Sequence, residues 1–268
     1  MHPRITIHEN IFPRSLTLEQ TLGEFTRAAA PRIGLRRVKF EHRGWARGIE
    51  AVQASGLDVT HLVHGPLFTL EDPSRLDDDI ARLIETLEAA TELGARCVYG
   101  VTGSATSSTW EQAAEAFVAG AASLAPHLRH CPIPLLVEPA NHLFADIGFV
   151  HTLRDAVDVA QSAGIGVCVD VQHCWPERGL RETIARAVGN VGLVQLSDFI
   201  PLYRRGTFFR AVPGDGVVPL ERIVSAVLED GYEGLFDLEL ATEDGVDPAE
   251  TIVRAADYIG TLLDRLGA

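Results

Sequence analysis

GVCVDVQHCW, residues 166–175, is the stretch on which the reading of this chain turns. Val167, Cys168 and Val169 form a short run of small and β-branched apolar residues, the composition of a strand buried on both faces of a parallel sheet. The run stops at Asp170, and His173 follows three positions later. An ionised carboxylate is costly to bury without a partner. Asp170 therefore calls for a cation beside it, a metal ion or a basic side chain. Other strands that end in polar residues would deliver its companions to the same place.

Apolar runs of the same kind recur at 5–8, 33–40, 59–63, 97–101, 132–137, 191–196 and 235–240. Between them lie stretches with helical spacing. The first begins at Ser15, with Glu19 completing a capping box, and others cover 47–54, 72–93, 109–128, 149–163, 176–188, 219–229 and 248–266. Gly56, Gly94, Gly164 and Gly231 stand just past helix ends, where a left-handed residue closes the last turn. Eight strands alternating with eight helices imply a parallel sheet with right-handed crossovers. With 268 residues and no linker or composition break, residues 1–268 read as one domain, a single (β/α)8 TIM barrel. A doubly wound open sheet is the competing architecture, and no GxGxxG follows the first strand to support it.

The chain carries 37 acidic against 23 basic residues, a net charge of −14, which disfavours a nucleic-acid partner. Four cysteines without a CxxC pair point to a reducing compartment. No apolar signal core opens the sequence and no stretch has the length of a membrane span. The expectation is a cytoplasmic protein with no membrane partner; oligomeric state, homo-oligomer or not, is left open.

In a barrel of this kind the active site lies at the C-terminal strand ends. There the fifth strand offers Glu138, the sixth Asp170, the seventh Gln195, Ser197 and Asp198, the eighth Asp237 and Glu239, and the third His64. Side chains alternate along a strand, so Gln195 and Ser197 share a face and Asp198 takes the other, while Asp237 and Glu239 share theirs. Glu138, Asp170, Gln195 and Glu239, one from each of four consecutive strands, form a candidate oxygen ligand set. Crowded carboxylates repel without a cation, and oxygen ligation suits Mn²⁺ or Mg²⁺. His173 is near enough to Asp170 to be a ligand or a neighbour of one. Asp237, deeper in its strand, reads as structural, and His8, His61, His142 and His151 as surface or packing residues. Cys174 reads as packing, because acidic surroundings raise a thiol pKa. Phe68, Trp175 and the pair Phe208–Phe209 are candidates for an apolar lid or for plain packing. Arg204 and Arg205 are candidate phosphate contacts or solvated surface charges.

At these residues the chain resembles the xylose-isomerase-like TIM-barrel family of sugar isomerases and epimerases. The resemblance rests on LLVEPAN at 135–141, VDVQH at 169–173, VQLSD at 194–198, RAVPGDGVVPL at 210–220 and DGYEGLFDLEL at 230–240. The N-terminal half matches only in architecture. The resemblance implies a divalent metal on Glu138, Asp170, Gln195 and Glu239, with Gln195 standing where the family more often has histidine. It implies His173 and Arg210 as substrate contacts; His64, at the end of the third strand, is placed with them. The chemistry that follows is an isomerase or epimerase of a small sugar or polyhydroxy keto compound, acting by proton transfer through a metal-bound enediolate, with Glu138 and Glu239 as the catalytic pair. A lyase or dehydratase on the same scaffold, inosose- or dehydroshikimate-dehydratase-like or glycoside-cleaving, is the alternative. An endonuclease-type relative and a non-catalytic sugar-binding subunit are further rivals.

Overall fold

The computed structural model describes residues 1–201, 210–242 and 245–268. Eight parallel strands close into a barrel in sequence order, the last pairing with the first. The chain runs β1 (Ile5–His8), α1 (Leu18–Arg27), β2 (Arg32–Arg36), α2 (Arg37–Arg43), α3 (Trp45–Ser55), β3 (Asp58–Pro66), α4 (Leu76–Glu92), β4 (Cys97–Val101) and α5 (Trp110–Leu128). It continues with β5 (Leu135–Glu138), α6 (Leu153–Ala163), β6 (Gly166–Asp170), α7 (Val171–Cys174), α8 (Leu180–Ala187), β7 (Val191–Leu196), α9 (Leu220–Glu229), β8 (Phe236–Leu238) and α10 (Pro248–Leu266). The expected (β/α)8 TIM barrel is the observed fold.

Local chemistry differs from the sequence reading in three places. The first helix is capped by Thr17, whose hydroxyl accepts from the Gln20 backbone while Gln20 answers in a capping box, so Ser15 and Glu19 do not form it. The second strand ends at Arg36, four residues before the expected Phe40, because Arg37–Arg43 turn at once into α2. Its apolar positions, Val38 and Phe40, alternate as a strand would, yet the helix buries Phe40 and leaves Val38 half-buried. The sixth crossover is likewise split, since Asp170 caps the single turn α7 before α8 begins.

Strand alternation sorts the core into two layers. Outward side chains such as Val98, Val137, Val167, Val169, Val194, Phe236 and Leu238 pack under the helices. Inward, Cys97, Tyr99, Leu136, Cys168, Leu193 and Leu235 form a small apolar plug inside the barrel. Two residues further along β5, β6, β7 and β8, the same inward columns continue as Glu138, Asp170, Gln195 and Asp237. A period of two therefore places a polar layer directly above an apolar floor at the C-terminal mouth.

Candidate active site

Asp170 is both things that a strand-end aspartate can be. Its Oδ1 accepts from the Gln172 backbone at 2.9 Å and caps α7. Its Oδ2 faces the mouth, 2.6 Å from Arg210 Nη2 and 3.0 Å from His173 Nε2. The single turn of α7 brings His173 back over the strand end, where its Nε2 also lies 4.0 Å from Glu138 Oε1. Asp170 and Gln195 are register partners, and so are Gln195 and Asp237. Glu239, just beyond β8, is held by Asn10 Nδ2 at 2.7 Å and Gln195 Nε2 at 2.8 Å. The structure thus brings Glu138, Asp170, His173, Gln195, Arg210 and Glu239 into one cluster.

Arg210 is the cation of that cluster. Its Nη2 reaches Asp170, Glu239 Oε2 at 3.2 Å and His173 Nε2 at 3.2 Å, and its Nη1 lies 3.4 Å from Ser197 Oγ. Asp198, on the opposite face of the strand from Gln195 and Ser197, shapes the loop that delivers it. The Asp198 carboxylate accepts from the backbone N–H groups of Phe199, Gly214, Gly216 and Val218 at 2.8–3.0 Å. A Cβ on Gly216 would stand 2.3 Å from Asp198 Oδ1, so this close approach requires glycine.

The electrostatics follow from burial. Burial, Glu239 and Asp170 together push the Glu138 carboxyl well above its usual range. Burial also raises Glu239, with Arg210 working against it. Burial would raise Asp170 as well, but Arg210, His173 and its hydrogen bonds outweigh that and hold it below its usual value. For His173, burial outweighs the attraction of Asp170, and its pKa falls to about 4. Three carboxylates around one guanidinium leave an excess of negative charge that a divalent cation would offset.

Below the cluster lies a second buried network. Gln195 Nε2 sits 2.9 Å from Tyr99 OH, 3.1 Å from Asp237 Oδ2 and 2.8 Å from Glu239 Oε2. An amide nitrogen has two hydrogens for these three oxygens. Rotated by half a turn, the same side chain presents Oε1 to this space, the atom a cation would take, and turns Nε2 toward Cys168. So rotated, Gln195 would offer an oxygen beside the carboxylates; as placed, Glu138, Asp170 and His173 are the residues of this cluster whose ligand atoms lie close enough together for one ion.

Two groups of buried residues are close enough to hold a metal ion among the described residues: Glu138, Asp170 and His173, and deeper down His8, His61 and Asp237. In the deeper group His8 Nδ1 accepts from the Asn10 backbone at 3.0 Å, which leaves the ring proton on Nε2, directed at Tyr99 OH 3.0 Å away. That tautomer withholds Nε2 from a metal, so the upper cluster is the better centre.

Several placements depart from the sequence reading. The described polar contact of His64 is to Thr86 of α4 at 2.9 Å, and the charges acting on it are Arg37 and Arg82. His64 thus belongs to the layer between β3 and α4 and is not brought to the cluster, because alternation turns His61 and Val63 inward and His64 out. His8 and His61 are fully buried inside the barrel. Gly34 signals this, since a Cβ there would lie 1.9 Å from His61 Nε2, and a glycine inside a strand often marks such an approach. Asn10, which fixes Glu239, and Tyr99, under Gln195, gave no motif. Asp237 bonds Gln195 and lies 3.4 Å from His61 Nε2, a structural place. Phe68 packs edge-on against Phe117, and the half-buried Trp175 ring lies 6.3 Å from that of Phe199. Cys174 is buried, its thiol pushed well up by burial and nearby acids. Arg204, Arg205 and the Phe208–Phe209 pair lie outside the described residues.

Acidic and amide groups gathered from four consecutive strand ends, with an arginine returning over them, define a class of barrel proteins that work at the C-terminal mouth. The chain belongs to the xylose isomerase-like TIM barrel family, whose model matches residues 24–262. L-ribulose-5-phosphate 3-epimerase UlaE of Shigella flexneri serotype 5b (strain 8401) is 30% identical over 80 residues, covering 30% of this chain and 27% of that protein. The match thus spans about a quarter of the curated relative's length. Among solved structures, protein SMc04130 from Sinorhizobium meliloti 1021 superposes with a TM-score of 0.86 at 25% identity, covering 97% of this chain and 98% of the other. A structure of IOLI protein with a binding zinc atom gives 0.81 at 16% identity, covering 98% and 99%. An L-ribulose 3-epimerase gives 0.78 at 20% identity, covering 98% and 95%. The last two likenesses speak for the fold alone.

Proposed function

We propose that this chain is a divalent-metal-dependent isomerase or epimerase of a small sugar or polyhydroxy keto compound. The observation that carries the reading is the grouping of Glu138, Asp170 and His173 within metal-ligand distance of one another, with Arg210 joining Asp170 to Glu239 and Gln195 beside Glu239. The epimerase names among the relatives support the substrate class, and 3-epimerisation of a ketose is the first reaction to try.

A bound divalent ion would sit on Glu138, Asp170, Gln195 and Glu239 and, as a Lewis acid, make a proton beside a carbonyl easier to remove. The chain's own residues do the rest. Glu138 and Glu239 stand on strands separated by β6 and β7, so a substrate between them meets a carboxyl group from either side. One removes the proton and the other returns it. Return to the opposite face of the same carbon epimerises; return to the neighbouring carbon isomerises. Asn10 fixes the Glu239 carboxyl, and His173 and Arg210 offer nitrogen donors to substrate oxygens. Burial of Glu138, Asp170, Gln195 and Glu239 keeps bulk water from competing for the proton.

Metal analysis of purified protein, followed by a ketose and ketose-phosphate panel read by NMR in D₂O, tests this. Stoichiometric Mn²⁺ or Mg²⁺ with a new stereocentre carrying deuterium supports it. A protein that neither binds nor responds to divalent ions, or that eliminates water from the substrate, overturns it.

A further inference from the structure

The loop after β1 and the short helix α2 enclose a cavity of about 490 Å³ at the same end of the barrel as the cluster. Arg14, Arg36, Lys39, His42 and Arg43 line it, with Glu19 as the carboxylate among its lining residues. Four permanent cations are thus gathered around one opening in a chain of net charge −14. A cavity lined by one sign of charge concentrates the opposite ion.

Lys39 is the only lysine of the 268 residues; every other basic residue of the Lys and Arg count is arginine. It is 5% exposed. Its Nζ donates to the carbonyl oxygens of Arg14, at 3.2 Å, and of Leu16. An ammonium has three hydrogens, so one donor is left for the cavity that Lys39 lines. Arg36 bonds Glu9 through Nε, and no described partner takes its Nη groups. Arg43 pairs with Glu19 at the rim. Arg14 makes no ion pair among the described residues. Two carboxylates thus answer two of the four cations, and the surplus falls on Arg14 and buried Lys39. Burial and Arg36 lower the Lys39 pKa, with Glu9 working against them, as expected where the cationic form lacks a full counter-charge. Thr17 and Leu18 also line the cavity, so the positive end of α1 faces it.

We propose that this cavity binds a phosphoryl group, as free orthophosphate or as the phosphomonoester end of a sugar, on Lys39, Arg36 and Arg14. A compact ammonium flanked by guanidinium forks suits a tetrahedral dianion. The cavity also adjoins the catalytic cluster: Arg36 bonds Glu9, and the next residue, Asn10, holds Glu239.

Calorimetric titration of orthophosphate into the purified protein, at constant ionic strength in chloride, tests the proposal. One equivalent should bind, and Arg14→Ala, at an exposed position, should weaken it about tenfold or more. Lys39→Met should weaken it further. No saturable heat in the wild type, or equal affinity in both variants, overturns the proposal. Two arms separate the sources of the phosphoryl group. Orthophosphate that competes with a sugar phosphate but leaves turnover of the unphosphorylated ketose unchanged marks a substrate end. Orthophosphate that alters turnover of the unphosphorylated ketose marks a separate effector. The titration needs no turnover, so its failure leaves the catalytic reading standing.

Discussion

Replacing Asp198 with asparagine should loosen the loop that carries Arg210. The Asp198 carboxylate accepts four backbone hydrogen bonds, Phe199 and Val218 on Oδ1 at 2.8 and 2.9 Å, Gly214 and Gly216 on Oδ2 at 2.9 and 3.0 Å. Asparagine keeps one oxygen and therefore one of these pairs; the other two N–H groups then face an NH₂. A hydrogen bond to a charged acceptor contributes about 1.5–3 kcal/mol, so losing two costs about 3–6 kcal/mol. That is a large part of a stability of about 5–15 kcal/mol. At roughly 2 °C per kcal/mol for a chain of this size, Tm should fall by about 6–12 °C. Urea unfolding followed by circular dichroism gives the free energy, and calorimetry gives Tm. Activity should fall with stability, because Arg210 loses its seat although no group in the cluster has changed. A loss under about 1 kcal/mol would refute the reasoning, since it would mean that the loop is held elsewhere.

Three further outcomes follow. Tyr99→Phe strips a buried hydroxyl that meets His8 and Gln195, and leaving a buried donor without its acceptor should lower the unfolding free energy by about 1–3 kcal/mol, read in urea. Burial and the neighbouring Arg37 and Arg82 lower the His64 pKa to about 3, so the unfolded chain binds this proton first as pH falls, and the stability of the neutral ring, present above about 6.5, is lost toward 3. His64→Gln should therefore shrink the fall in unfolding free energy between pH 7 and pH 5 by about 2 kcal/mol, and parallel pH curves for the two proteins would contradict this. Arg210→Met removes the cation from Asp170 and Glu239 and should cost about 3–5 kcal/mol; added Mn²⁺ should raise its Tm more than that of the wild type, by binding only the folded state.

The architecture was legible because a buried parallel strand writes itself as an apolar run, and β6, β7 and the glycines after α3 and α6 follow that rule closely. Glu138, Asp170 and Gln195 were legible for the same reason, each being the first polar side chain after its run, and Glu239 follows Asp237 by one alternation on the same face. Helix α2 was not, because Arg37-Val38-Lys39-Phe40 alternates as a strand would and the decision for helix lies in tertiary packing. His64 was misplaced because its position at the strand end was read without its face: two residues after Leu62, it continues the outward column of β3. The inner network of His8, His61, Tyr99 and Asp237 was hidden for a different cause. Its members come from β1, β3, β4 and β8, far apart in sequence, and only barrel closure brings them together. The basic cavity was hidden likewise, although the solitary Lys39 stands in plain sight in the sequence.

The central claim is that Glu138 and Glu239 pass a proton to and from carbon. The most direct measurement is solvent-deuterium incorporation into a ketose or ketose phosphate that the wild type turns over, with Glu138→Gln and Glu239→Gln beside it. One deuteron per product molecule at the inverted or newly formed carbon, lost together with turnover in both variants while the fold persists and divalent metal is supplied in excess, is the predicted result. Product formed without deuterium, or undiminished exchange in both variants, would contradict it.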